Sequence, residues 1–279
     1  MTKIAQAELL IGFDKLSKSD IAVAGGKAAS LGELTRAGIN VPPGFVVTTE
    51  AYQLYSNSLL PEDLQQKILS KFDELSTKRV SVRSSAVAED SSNSSWAGQF
   101  ESYLNVTKDE LIQKIYDCWK SVEGARAYAT QQAPENTDTT LAVVVQKMVD
   151  SEVSGVTFTK NPVTASETEV MIEATYGLGE LLVQGAVTPD NYLVNKNTLT
   201  IIDKQVPAKK SMLVYSDGKN TQQPVAADKS ASACLDDTQI IELTRLAVKI
   251  EDHYGQPQDI EWALEGGQFY ILQSRPITA

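Results

Sequence analysis

The run DIEWALEGGQFYILQSRP, from Asp259 to Pro276, carries two acids two residues apart, Asp259 and Glu261. A Gly-Gly pair follows, and then an amide and a guanidinium at the same spacing, Gln273 and Arg275. Residues two apart share a face of an extended strand. Two carboxylates with an amide and an arginine suit a divalent metal carrying a polyphosphate, because Mg²⁺ takes few protein carboxylates and leaves positions for phosphate oxygens. The turn decides whether the two pairs meet. An even-length loop sends them to opposite faces, and an odd one, such as three residues built around Gly266 and Gly267, gathers all four. In the gathered arrangement Ile260, Trp262, Leu272 and Ser274 face away, and Ile271 falls on the same face as the acids. A surface hairpin with an ordinary ion pair is the plain alternative.

Other segments offer complementary chemistry. Gly25-Gly26-Lys27 reads as the start of a helix, where free N–H groups and the dipole favour an anion and Lys27 reaches a phosphate oxygen; a glycine turn with a solvated lysine is the alternative. Arg83 ends a strand-like run and precedes a small-residue loop. Its fork matches two phosphate oxygens, and Ser84, Ser85 and Gly98 bring donors close. Gln146 ends the apolar run Leu141 to Val145, and an amide at a strand end suits the edge of an adenine ring. In EATYGLGELLVQG a turn at Gly177 and Gly179 lies near Glu173 and Glu180, a weak signal for the wall of a phosphate site. The one histidine, His253, stands at a helix end, where it interacts with carbonyls and the dipole. There is no GxSxG elbow and no GxxxxGK[ST] loop.

The elements that must position these residues alternate between helix and strand patterns, so an α+β class is expected. KAASLGELTRAG, with Gly38 as its stop, PEDLQQKILSKFDEL, with Pro61 in the first turn, and the segment opened by Thr107 and Glu110 read as helices. So does Asp237 to Tyr254, stopped by Gly255. VPPGFVVTT, RVSVRSSA and LAVVVQKMV read as strands, followed by a β-rich region to about Val206. Ser84 to Ser102 reads as a loop that becomes ordered over a ligand, and Ser216 to Ser232 as a loop or linker. Two lobes are expected, residues 1–149 and 150–279.

Composition excludes some classes. The 279 residues are 42% hydrophobic and 22% charged, an ordinary globular balance. Net charge is −11, from 36 acids against 25 Lys and Arg. That argues against a nucleic-acid or membrane-surface binder, which needs a positive field. Cys118 and Cys234 are isolated, without zinc or disulfide spacing. Neither a signal peptide nor an apolar run long enough to span a bilayer is present, so a cytoplasmic protein is expected.

Taken in order, GGKAASLGEL, VPPGF, VRSSAVAED, WAGQFESYLNV, VVVQKMV, SGVTFTKNP, YGLGE, DIEW and LQSRP resemble one family. It is the nucleotide-binding portion shared by phosphoenolpyruvate synthase (pyruvate, water dikinase), pyruvate, phosphate dikinase and rifamycin phosphotransferases. The resemblance runs from about Gly25 to Pro276. It implies an ATP-grasp-type fold whose two lobes hold Mg-ATP between them. It also implies that Lys27 and Arg83 contact the phosphates, Gly98 lends backbone to a phosphate-covering loop, and Gln146 lines the adenine pocket. Ser102 stands where relatives usually have Thr, and keeps the hydroxyl. Asp259 and Glu261 would hold magnesium with help from Gln273, and Arg275 would steady the transferred phosphoryl group.

The same resemblance implies a mobile phospho-histidine domain and, in the synthase, a barrel for pyruvate. Neither is found here, and His253 does not match the phospho-acceptor motif. The expected activity is therefore phosphoryl transfer from ATP to a histidine on a partner protein or further domain, with ATP and Mg²⁺ as cofactors. A nucleotide-binding regulatory module, or the ATP-binding part of an antibiotic phosphotransferase, is the alternative.

Overall fold

The apolar patterns resolve into two sheets, each with its own helical cover. The computed structural model describes residues 8–55, 59–87, 101–129 and 141–277, without the side chains of 122–129. The chain divides into two compact units, Met1–Arg36 with Pro42–Met148, and Ala37–Val41 with Val149–Ala279. The short segment Ala37–Val41 thus belongs with the second unit although the chain on both sides of it belongs to the first. The fold is α+β.

The first unit contains β1 (Leu10–Gly12), α1 (Ile21–Arg36), β2 (Gly44–Val47), α2 (Thr49–Gln53), α3 (Glu62–Glu74), β3 (Val80–Ala86), β4 (Ser102–Val106), α4 (Leu111–Ala129) and β5 (Leu141–Lys147). Its five strands lie in the order β1-β2-β5-β3-β4, every pair antiparallel. Strand alternation divides the side chains between two faces. Val80, Val82, Val143 and Val145 join Leu64, Ile68 and Phe72 of α3 and Leu111, Ile115 and Trp119 of α4 in one buried cluster. Ser81, Arg83 and Ser85, with Ala142, Val144 and Gln146 opposite them, face the other way, where Ser85 bonds to α1. Pro61 is the N-cap of α3, and Glu110 accepts from the Thr107 N–H at 3.0 Å, as the capping pattern requires.

Gly25, whose φ of 73° and ψ of 166° are not helical, breaks α1 into two helical stretches, so Gly26 and Lys27 open the second stretch as expected. One expectation changes here. Ser84, Ser85 and Ala86 belong to β3, and Ser102 opens β4, because backbone pairing to Val143, Ala142 and Leu141 continues through these polar positions. Residues 88–100 of the expected loop, Gly98 among them, lie outside the described residues.

The second unit contains β6 (Val153–Phe158), β7 (Glu169–Tyr176), α5 (Glu180–Val183), β8 (Asp190–Asn195), β9 (Thr200–Gln205), β10 (Ser211–Ser216), β11 (Lys219–Pro224), α6 (Ala227–Ser230), α7 (Asp237–Tyr254), β12 (Gln258–Glu265) and β13 (Gln268–Pro276). Six strands lie in the order β13-β12-β6-β7-β8-β9, all antiparallel. α7 packs against β12, β8 and β9. It buries Ile240, Leu243, Ala247 and Ile250 at helical spacing. Asp236 and Gln239 form a reciprocal capping box at its start, and Gly255 at φ 68° ends it. Ile172, Tyr192, Val194, Ile260 and Trp262 are buried on the core face.

Also buried is a charged pair, Lys209 and Asp190, with 1% and 0% of their side-chain surface exposed. Asp190 further accepts from the Tyr192 hydroxyl at 2.8 Å and the Cys234 N–H at 2.7 Å, so its oxygens are well supplied. The stretch from Ser216 to Ser232, expected as a loop or linker, instead contributes β11 and α6. Asp217 and Gly218, both at positive φ, make the two-residue turn of the β10–β11 ribbon. Its strand is held by backbone bonds, which a polar sequence pattern does not announce.

Candidate functional site

β12 and β13 are closed by a turn of only two residues, Gly266 and Gly267, with Glu265 opposite Gln268. Both glycines have positive φ, 57° and 77°, as the hairpin turn matching strand twist demands. The two-residue loop replaces the three-residue one considered from sequence. By alternation alone it would place the acids and the Gln/Arg pair on opposite faces. They share a face because the register shifts between Glu261 and Trp262. Trp262 opposes Ile271 and Glu261 opposes Gln273, so Leu272 is one extra residue, a β-bulge that restores the parity. Asp259 then opposes Arg275. The bulge also corrects Ile271, which joins Trp262 on the core face and is fully buried rather than facing the acids.

On the resulting face Arg275 donates from Nε to Asp259 Oδ2 at 2.8 Å, and a second guanidinium nitrogen lies 2.8 Å from the same oxygen. Arg275 is 48% exposed and Asp259 12%, so the acid is the sheltered partner. Burial raises the Asp259 carboxyl above its usual range, Arg275 opposes that shift, and the charge of Glu261 adds to it. A third acid joins them. Glu261 pairs with Val156 of β6, and Val156 with Glu173 of β7, so Glu173 lies in the same row on the same face. Burial raises its carboxyl as well, with the Asp259 charge as second cause.

This face therefore holds carboxylates that resist ionising together, a setting that a divalent cation relieves. Among the described residues no three of His, Cys, Asp and Glu converge as a complete metal cage. Glu173 was legible only as a neighbour of the Gly177 turn, since strand order is what carries it to Glu261.

The first unit holds the cationic residues. Arg83 is buried on β3, directly across from Ser102 on β4, which is exposed. Lys27 donates from Nζ to the carbonyl of Ser84 at 2.9 Å, next to Arg83 in sequence. The structure thus brings Lys27, Arg83 and Ser102 to one end of this sheet. Burial pushes the Cys118 thiol up to about 12, partly offset by the charge of Lys27. Gln146 is 2% exposed, opposite Ser81 and Gly44, and its amide donates to the Pro42 carbonyl at 3.2 Å. His253 stacks edge-on with Tyr254 at the end of α7.

Residues 21–59 and 53–279 match the family described as pyruvate phosphate dikinase, AMP/ATP-binding domain. The chain is 39% identical to a probable phosphoenolpyruvate synthase of Methanocaldococcus jannaschii, over 99% of this chain and 27% of that protein. It is 38% identical to phosphoenolpyruvate synthase of Pyrococcus furiosus, over 95% of this chain and 43% of that one. It is 37% identical to rifampicin phosphotransferase of Bacillus subtilis, over 98% and 36%. The chain thus spans less than half the length of each of these relatives. With its match extending over both units, the chain belongs to the pyruvate phosphate dikinase AMP/ATP-binding domain family.

Proposed function

We propose that this chain is the Mg-ATP-dependent phosphotransferase module of a phosphoenolpyruvate synthase-like system, built as an ATP-grasp fold in two lobes, 1–149 and 150–279. It passes a phosphoryl group from ATP to a histidine on a partner protein or a further domain. Lys27 and Arg83 contact the phosphates, Gly98 and Ser102 complete their cover, and Gln146 holds the adenine side. Asp259, Glu261 and Gln273 hold magnesium, and Arg275 steadies the group in transfer. Magnesium supplies charge neutralisation for the polyphosphate. The protein's part is positioning and fixed charge, which is the larger share of catalysis in reactions of this type.

The observation that carries this reading is the bulged hairpin. A bulge at Leu272 aligns Glu261 with Gln273 and Asp259 with Arg275, and bulges are over-represented beside active sites, where they re-aim side chains. The test is incubation with ATP, Mg²⁺ and candidate histidine domains. The expected products are AMP, inorganic phosphate and phosphohistidine. ATP bound tightly but left intact with every acceptor, and bound equally by Arg275→Ala, would indicate a regulatory nucleotide-binding module.

A further inference from the structure

In an unbroken helix the N–H of Ala28 would bond to the carbonyl of Ala24, four residues back. Here the hydroxyl of Ser85, from β3, stands in that rung. It accepts from the Ala28 N–H at 3.1 Å and donates to the Ala24 carbonyl at 2.8 Å. The rung spans Gly25, the kinked residue of α1. Insertion of a side chain into the ladder is a recognised cause of a sharp kink.

The fit is close on both sides. A Cβ at Gly25 would meet the Ser85 carbonyl oxygen at 2.2 Å and its Oγ at 2.4 Å, so only glycine permits the approach. Ser85 is fully buried, where an unmade hydrogen bond is not replaced by water. The preceding residue completes the grip, because the Ser84 carbonyl accepts from Lys27 Nζ at 2.9 Å.

We propose that Ser85 is a positioning residue for the Gly25-Gly26-Lys27 turn. Its hydroxyl holds the helix open at Gly25, which fixes where Lys27 and the neighbouring backbone N–H groups point. The role in ligand binding rests on the reading that this turn serves the phosphates of ATP. Without the hydroxyl, two buried backbone groups lose their partner, and α1 gains by re-forming the direct rung and withdrawing the turn.

The test compares Ser85→Ala and Ser85→Thr with the wild-type chain, using amide exchange at Ala28 by NMR and Mg-ATP affinity by titration calorimetry. Ser85→Ala is expected to change exchange at Ala28 by about tenfold or more and to weaken Mg-ATP by about tenfold or more, the range for a buried hydrogen bond lost with its partner left behind. Ser85→Thr, which keeps the hydroxyl, is expected to restore both. Unchanged exchange and affinity in Ser85→Ala would overturn the proposal. So would equal loss in both variants, which would point to packing rather than the hydroxyl, or changed exchange with unchanged affinity. If Ser85→Ala does not fold, Ser85→Cys, a weaker donor and acceptor, is expected to fall between wild type and Thr on one side and loss on the other. Absence of Mg-ATP binding in the wild type would sink the nucleotide reading, and exchange at Ala28 would still decide whether Ser85 holds the turn.

Discussion

Glu261 lies directly opposite Gln273 across a hairpin whose two-residue turn, taken alone, would have put them on opposite faces. The single extra residue, Leu272, reconciles the two facts. The same adjustment sends Ile271 into the core beside Trp262. One irregularity thus sets both the polar face and the packing behind it.

Arg275→Ala should separate catalysis from stability. Its ion pair with Asp259 is half exposed, and such pairs contribute at most about 0–1 kcal/mol. Urea unfolding is expected to shift little, while phosphohistidine formation drops by about a hundredfold or more, the usual loss when a group that stabilises transferred charge is removed. A large stability loss with normal turnover would make Arg275 a structural residue.

Arg83→Ala should weaken Mg-ATP binding far more than Arg36→Ala, a change at an exposed position on α1. A charge-assisted hydrogen bond at a sheltered site is worth about 1.5–3 kcal/mol, which is roughly ten- to a hundredfold in affinity. Calorimetry giving equal affinities would remove Arg83 from the phosphate site.

The carboxyls of Asp259 and Glu173 are both raised above their ordinary values of 3.8 and 4.5. For an acid raised in the folded state, stability is fully present below the unfolded value and is lost as pH rises through the folded one. Glu173→Gln should therefore remove part of the fall in melting temperature as pH rises from about 4 toward neutrality. Saturating Mg²⁺ should flatten the same part of the profile in the wild type. Parallel profiles for wild type and variant would show that Glu173 carries no such strain.

Asp190→Ala should be among the most damaging single changes in the second unit. It leaves the Lys209 ammonium buried without its counter-ion, a loss of about 3–5 kcal/mol. Replacing both with apolar residues, Asp190→Leu with Lys209→Met, should cost much less than the sum of the two single changes. Additive losses in denaturant midpoints would contradict this coupling.

Much of the fold was legible because its signals are local. Asp237 to Tyr254 is a helix closed by Gly255 on apolar spacing and a left-handed stop. The acids at 259 and 261 share a face because strand alternation is invariant over two residues. What was not legible depends on pairing. The bulge at Leu272 arises from the choice of partner, and nothing in FYILQSRP marks which residue is the extra one. Glu173 reaches the acidic face only because β6 separates β7 from β12. β11, rich in Asn, Thr and Gln, has no apolar alternation to announce it, and the helical stretch before Gly25 that Ser85 bridges to the one after it carries no local signal.

Asn40 has a consequence for anyone dissecting the chain. β13 is the outermost strand of its sheet, and Asn40 bonds along its free edge: its amide donates to the Phe269 carbonyl at 2.7 Å, and its own carbonyl accepts from the Ile271 N–H at 2.9 Å. Asn40 comes from the short stretch Ala37–Val41, which the chain lends to the second unit before returning to the first. A fragment begun at Val149 would thus be truncated of a piece lying far upstream in sequence, and would expose bare backbone groups beside the acidic hairpin. Such an edge recruits other strands, so the fragment is expected to self-associate. A graft carrying residues 37–41 at its end, or the same peptide added in trans, is the remedy this connectivity prescribes.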